Sequence, residues 1–241
     1  MKRKCETCSH HNCFINKYCS PEWKPVITLN KTTTDYPVGA TIFSEGEQVS
    51  GIYEIYSGRV KLVSNFGIGN ERIVSLATTE QILGYQGLGK NMVYPVSAVT
   101  LEKSQVTFIP IDIFYKAVMA SPNMAMHLIL FYAEKLKEAD ARMRYSSLMS
   151  AKEKVALALI LVVNAFGFKH DDATLLGFTP SRKDLASLAG TTYETVIRAL
   201  SKLEQSKIIH LEAKEIRILN IHGLKELCQK FNHYQYAPFS N

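Results

Sequence analysis

The sequence predicts an α+β fold in three parts: an N-terminal β jelly-roll barrel, a long dimerisation helix and a C-terminal winged helix-turn-helix. Three observations predict it. Short apolar and alternating runs recur between residues 27 and 110 with turn signals between them. After Pro110 the apolar period becomes helical. Ser181–Lys202 then reads as two short helices about a glycine corner. The boundaries expected are 1–26 for a cysteine-rich segment, 27–120 for the barrel, 121–149 for the dimer helix and 150–241 for the last domain.

The chain has 241 residues, 28 Lys+Arg against 22 Asp+Glu, and a formal charge of +6. That balance suits one large or two small domains whose partner is polyanionic. The longest apolar candidate for a membrane span, Val155–Phe168, is too short and is interrupted by Asn164. MKRKCETC carries basic residues with no apolar segment after them, unlike a secretory signal. The expectation is a cytoplasmic protein with no membrane partner. An enzyme would need a nucleophile with its base, or a phosphate-cradling loop. The glycines at 67, 69, 84, 87 and 89 match no such loop, so no catalytic residues are expected.

Four of the five cysteines open the chain as Cys5, Cys8, Cys13 and Cys19. In a reducing compartment clustered thiols more often bind a metal or sense oxidants than form disulfides. Four thiolates can close around one zinc or supply every ligand of an iron–sulfur cluster. His10 and His11 lie inside the cluster and could replace a thiolate on zinc. The spacing leaves iron–sulfur, zinc and unligated thiols open. Cys228, in LKELCQKF, reads as a buried apolar-face residue.

The barrel strands are read at 41–43, 51–56, 59–63, 72–76, 96–100 and 106–109. Turns are expected at Glu45-Gly46-Glu47, Ser57-Gly58 and Gly67-Ile68-Gly69-Asn70. Even spacing of such short strands indicates a jelly roll. Ile113, Phe114, Ala117 and Val118 then mark a short amphipathic helix, which Ser121-Pro122 ends. The next helix runs to about Leu148. Ile129, Leu136 and Met143 recur in it every seven residues, with Tyr132, Ala139 and Ser146 three places after each, a seam that implies a homodimer. Ser150-Ala151-Lys152-Glu153 forms a capping box that starts a new helix and marks a domain boundary.

In the last domain an apolar helix, Lys154–Phe166, leads through a Gly- and Asp-rich loop at 167–177 to the helix pair. Leu185, Ala186 and Ala189 would face Val196, Ala199, Leu200 and Leu203 across it. Gly190 can take positive φ at the corner, and Thr191 or Thr192 can cap the second helix. The outer face of that helix carries Thr192, Tyr193, Glu194 and Arg198 near its start, the end such a protein pushes into a major groove. Two alternating segments, Ile208–Leu211 and Ile216–Leu219, make a wing with Lys214 at its tip. Double-stranded DNA is the expected partner.

The whole resembles the Crp/Fnr family of bacterial transcription regulators. The resemblance rests on residues 39–47, 51–62 and 192–198, and extends over roughly 27 to 228. It implies that Glu194 and Arg198 meet base edges, a carboxylate accepting from cytosine and a guanidinium donating twice to guanine, with Tyr193 and Thr192 beside them. Thr179, Ser181, Arg182, Thr191 and Lys202 become candidate phosphate contacts. A dimer implies a palindromic operator, and the family implies RNA polymerase as a partner. Cyclic-nucleotide-binding members carry Gly-Glu-Leu-Gly-Leu and Arg-Ser-Ala. This chain has Gly84-Tyr85-Gln86-Gly87-Leu88 and Val96-Ser97-Ala98, so the groups that hold ribose and phosphate are gone and cAMP is not expected. The effector pocket would instead be lined by Tyr85, Met92, Tyr94 and Val96, either collapsed or suited to a hydrophobic effector. The oxygen-sensing branch holds a [4Fe–4S] cluster on three N-terminal cysteines and one barrel cysteine. Cys5, Cys8 and Cys13 resemble the first three, Thr107 stands at the barrel position, and Cys19 could supply the fourth thiolate.

Overall fold

A computed structural model describes residues 4–65, 71–146 and 148–228. The expected turn at 67–70 and the tail after 228 lie outside these residues, as does the side chain of Ser146. The described chain forms two compact units, which divide within the long helix between Glu134 and Lys135; residues 71–76 group with the second.

The first unit opens with two short helices that the sequence reading did not anticipate, α1 (Phe14–Tyr18) and α2 (Trp23–Asn30). Cys13 caps α1, its sulfur accepting from the Asn16 amide at 3.4 Å. Ile27, expected to open the barrel, lies instead in α2. Eight strands follow: β1 (Thr32–Tyr36), β2 (Thr41–Phe43), β3 (Gly51–Ser57), β4 (Arg59–Asn65), β5 (Glu71–Thr78), β6 (Ile82–Leu83), β7 (Ser97–Thr100) and β8 (Ser104–Pro110). They form two four-stranded sheets, ordered β1-β8-β3-β6 and β2-β7-β4-β5. The turns at Gly46 and Gly58 use positive φ, +87° and +117°, which a side chain would strain.

Strand β3 is buried on both faces from Gly51 to Ile55, which is why it reads as a nearly continuous apolar run. Tyr53 points to the barrel interior, where it stacks on Phe43 of the other sheet at 5.2 Å. Residues 52 and 54 point to the opposite face. There Ile52 and Ile109 pack in one core with Cys5, Cys13, Phe14, Ile15 and Cys19. The cysteine-rich segment is therefore the cover of this sheet. Helix α3 (Ile111–Ala120) and the first half of α4 (Pro122–Ser146) complete the same core through Phe114, Ala117, Met124 and Phe131.

The second unit is built on α5 (Ala151–Phe166), whose capping box has both of its bonds: Glu153 N–H to Ser150 Oγ at 3.3 Å and Ser150 N–H to Glu153 Oε2 at 2.6 Å. The segment expected as a loop at 167–177 is a hairpin of β9 (Phe168–Lys169) and β10 (Asp172–Leu176). Helices α6 (Arg182–Ala189) and α7 (Tyr193–Gln205), wing strands β11 (Ile209–Glu212) and β12 (Glu215–Ile218), and α8 (Ile221–Leu227) follow. The wing hairpin joins the earlier one in a single sheet, β11-β12-β10-β9. Leu159, Leu185, Val196, Leu200, Leu203 and Ile216 are buried together in this unit, so α6 and α7 are held by their apolar faces as the periodicity requires.

Candidate functional site

Gly190 ends α6 in the left-handed region at φ +61°, and the Thr191 amide bonds back to Ala186 O at 3.0 Å. Of the two candidate caps the structure uses Thr192, whose hydroxyl accepts from the Thr195 amide at 3.3 Å. The cap fixes where α7 begins, and hence which side chains face outward. Thr192, Tyr193, Glu194 and Arg198 are all exposed, while Val196, Ala199, Leu200 and Leu203 are buried on the other face. The Glu194 carboxyl is held below the ordinary glutamate range by its own backbone N–H, the Thr192 hydroxyl and the Arg198 charge. It is therefore a full acceptor at neutral pH. Arg198 is oriented by Thr195, Nη2 to Oγ1 at 3.3 Å. One carboxylate and one guanidinium thus stand a helical turn apart on a free surface, an acceptor and a double donor for base edges.

The candidate phosphate residues spread around this face. Ser181 caps α6, accepting from the Asp184 amide at 3.0 Å and donating to its carboxylate at 2.7 Å. Arg182 is half-buried at the start of α6 and donates to Lys214 O at 3.3 Å, tying that helix to the wing tip. Thr179 and Thr191 are partly exposed, and Lys202 is exposed in the last turn of α7. Arg217 of β12 bonds Glu212 at 2.8 Å and Asp172 of β10, which fixes the wing to the hairpin.

The four residues read as lining an effector pocket each have defined partners. Tyr85 turns away from the barrel interior to pack on Phe131 of α4, ring centroids 4.5 Å apart, and its carbonyl accepts from Tyr132 Oη at 2.6 Å. Met92 reaches α3, where Tyr115 Oη lies 3.3 Å from its sulfur. Tyr94 is fully buried: its ring stacks on Phe43 at 4.3 Å and its hydroxyl donates to Gly51 O at 2.8 Å. Val96 is buried. Phe43, Tyr53 and Tyr94 form one aromatic cluster between the sheets.

Three of the N-terminal cysteines, Cys5, Cys13 and Cys19, share a core but each has its own partners. Cys5 accepts from the Lys31 ammonium at 3.1 Å, with both residues buried. Cys13 lies against the buried carboxyl of Glu54, and burial together with that charge pushes its thiol far above the usual range. Burial raises Cys19 as well, against a bond from Ser121 that lowers it. Cys8 is partly exposed. Among the described residues no three Cys, His, Asp or Glu side chains gather as they would around a metal ion. The donors as they stand do not fit a metal or a cluster. One buried polar atom near them, His10 Nδ1, lacks a hydrogen-bond partner. Thr107, at the barrel position of the family's fourth ligand, pairs across the sheet with Glu54 and bonds Thr33 at 2.9 Å. On α4, Ile129, Leu136 and Met143 are exposed, together with Met126 and Leu130. Tyr132, expected in the same seam, is turned to Tyr85 instead.

Comparison with known proteins places these features. Residues 33–121 match the cyclic nucleotide-binding domain and residues 153–227 the Crp-like helix-turn-helix domain. The chain belongs to the Crp/Fnr family. Among its Crp/Fnr relatives is the transcriptional activator protein FnrA of Stutzerimonas stutzeri, 27% identical over 186 residues, which are 77% of this chain and 76% of that protein. The anaerobic regulatory protein of Pasteurella multocida is 26% identical over 233 residues, 91% of this chain and 83% of that one. FixK2 from Bradyrhizobium japonicum shares the fold, with a TM-score of 0.72 at 24% identity over 82% of this chain and 96% of that one. This Crp/Fnr chain is thus a transcription regulator of a family that is not enzymatic. Among the described residues no helix is long and apolar enough to cross a membrane.

Proposed function

We propose that the chain acts as a cytoplasmic homodimer that reads a palindromic operator and recruits or blocks RNA polymerase there. The two α7 helices enter successive major grooves about 34 Å apart. Glu194 accepts from a cytosine amino group and Arg198 donates to guanine. The phosphate partners are Thr179, Ser181, Arg182, Thr191 and Lys202. The observation that carries this reading is the exposure of Glu194 and Arg198 one turn apart on a capped helix whose other face is core. Supporting the dimer is the exposed row Ile129, Leu136 and Met143 on α4, which has no reason to face water in a monomer. The signal enters at the N-terminal cysteines, because three of them, Cys5, Cys13 and Cys19, pack in the same core as Met124 and Phe131 of α4. Any ligation or oxidation of Cys5, Cys13 or Cys19 must repack that core. The relatives' names point to anaerobic regulation, which accords with a thiol-based input.

Binding to a palindromic duplex should weaken steeply with salt and on Arg198→Ala. Leu136→Glu should give a monomer in sedimentation. Binding indifferent to both salt and Arg198 would end the DNA-reading assignment. Metal content of anaerobically purified protein separates the inputs: about four irons per chain for a [4Fe–4S] cluster, one zinc for a structural site, neither for bare thiols.

A further inference from the structure

The cysteine-rich cover holds an amine and a thiol side by side in its interior. Lys31 closes α2, its backbone N–H bonding Ile27 O at 2.8 Å, and its side chain turns inward so that the residue is only 7% exposed. Helix α2 also brings Cys5 to it. The Cys5 amide donates to Thr28 Oγ1 at 2.9 Å, and Thr28 lies one helical turn before Lys31. Lys31 Nζ then stands 3.1 Å from Cys5 Sγ, and Cys5 is 5% exposed. A lysine this buried ordinarily bonds a carboxylate, because an ammonium is costly to desolvate and sulfur is a weak acceptor. The buried carboxyl of Glu54 feels the Lys31 charge, yet the hydrogen bond goes to the sulfur. Cys13 faces the Glu54 carboxyl and Cys19 the Ser121 hydroxyl. Among the described residues Cys5 alone hydrogen-bonds an amine.

We infer that Cys5 and Lys31 are a covalent modification site, joined under dioxygen by a single oxygen atom in an N–O–S bridge. The step balances within the pair. The thiol and the amine bring three hydrogens between them. One S–H bond, one N–H bond and the O–O bond break; an S–O and an N–O bond form, and the two hydrogens leave as water with the second oxygen atom. Sulfur gives up two electrons and nitrogen two, the four that reduce dioxygen. A positive charge beside the sulfur is the setting in which thiols react, and dioxygen is small and apolar enough to enter a packed interior that excludes larger reagents. The bridge ties residue 5 to the end of α2, 26 positions along the chain, and takes the Cys5 sulfur away from any metal. As a signal it rests on the cysteine-input reading above, to which it adds Lys31.

The full chain, purified anaerobically with dithiol, is desalted and exposed to dissolved oxygen. Intact-mass spectrometry should show a species richer by one oxygen and poorer by two hydrogens, which dithiol reverses. Peptide mapping without reductant should find Cys5 and Lys31 in one cross-linked pair of peptides. Cys5→Ser and Lys31→Arg, each keeping a polar side chain in place, should both lack that species. Its absence from the unaltered chain, or its persistence in either substituted chain, would overturn the proposal. So would oxygen found only as sulfenic or sulfinic acid, or cysteines joined only to each other. The peptide map of the unaltered chain decides even where a substituted chain does not fold. Affinity for a duplex that the reduced chain selects from a randomised pool separates this inference from the reading beneath it. A bridge that forms without changing affinity leaves the modification site standing and removes the signal from the cysteines. An oxygen-dependent change in affinity with no bridge keeps the cysteine input and overturns the proposal.

Discussion

The cysteine segment and the reading helix each depend on a capped helix, yet they turn their chemistry in opposite directions. Helix α1 is capped by Cys13 and flanked by Cys5 and Cys19, and all three sulfurs are buried in the core beneath strand β3. Helix α7 is capped by Thr192 and presents Glu194, Ile197 and Arg198 to solvent while its other face packs. At α7 the residues proposed to recognise a partner are separate from those that hold the fold. At α1 they are the same residues. Chemistry on a thiol there is also a change of packing, which is what a sensor needs, whereas a DNA-reading surface must vary without disturbing its scaffold.

The contrast is broken most directly by stability measurements on one residue from each region. Ile15, 1% exposed in α1, packs in the cysteine core, and Ile15→Ala should cost about 2–5 kcal/mol in denaturant unfolding. Arg198→Ala should move stability by no more than about 0.5 kcal/mol. Its effect belongs to binding, where anisotropy titrations should show operator affinity reduced about 5- to 150-fold, the equivalent of about 1–3 kcal/mol. Equal destabilisation by both substitutions would mean that the reading face is not independent of the fold.

A smaller effect separates the thiols from one another. Cys8 is partly exposed while Cys5, Cys13 and Cys19 are buried. In metal-free protein, peptide mapping after brief iodoacetamide treatment should find Cys8 alkylated about tenfold faster than the other three, since buried thiols are inert. Uniform labelling would mean that the segment does not pack as the cover of the sheet. Cys228, whose thiol burial pushes up to about 12, serves as the internal unreactive control.

The reading helix was legible in the sequence because one side of it must be apolar at helical spacing and the other polar, and Gly190 and Thr192 punctuate it. The wing was legible for a similar reason, its alternation. The hairpin of β9 and β10 was not: Asp172 and Thr174 look like loop residues, and only pairing with β9 on one side and, through Leu175 and Arg217, with β12 on the other makes β10 a strand. Strand β1, TTTDY, escaped because four of its five residues are exposed and no apolar alternation marks it. The effector-pocket reading placed Tyr85 by its position in a motif. The structure turns it outward, because Phe131 and Tyr132 supply an aromatic surface that local sequence cannot reveal. The same holds for Glu54. Its burial against Cys13 follows from the N-terminal segment folding back over β3, a contact between residues 41 positions apart.

The smallest expected effect lies on the wing sheet, and it sharpens the idea that the exposed side of the DNA-binding unit can be altered without loss of reading. Asp172 accepts from the Thr174 hydroxyl at 2.6 Å, the Thr174 amide at 2.9 Å and Arg217. Those donors favour the ionised form and hold its carboxyl well below the ordinary aspartate range. Because the folded value lies below the unfolded one, the bonds stabilise the unit fully at pH above the unfolded aspartate range. That stabilisation is lost progressively as pH falls through and below it. The melting temperature should therefore decline on acidification below about pH 4, and Asp172→Asn should flatten part of that decline while melting slightly lower at pH 7. Solvent screens a carboxylate this exposed, so the shift is modest. Operator affinity at neutral pH should stay within about twofold, since Asp172 contributes nothing to the face of α7. A larger loss of binding would mean that the wing sheet, through Arg217 and the turn that carries Lys214, sets the reading geometry as well as supporting it.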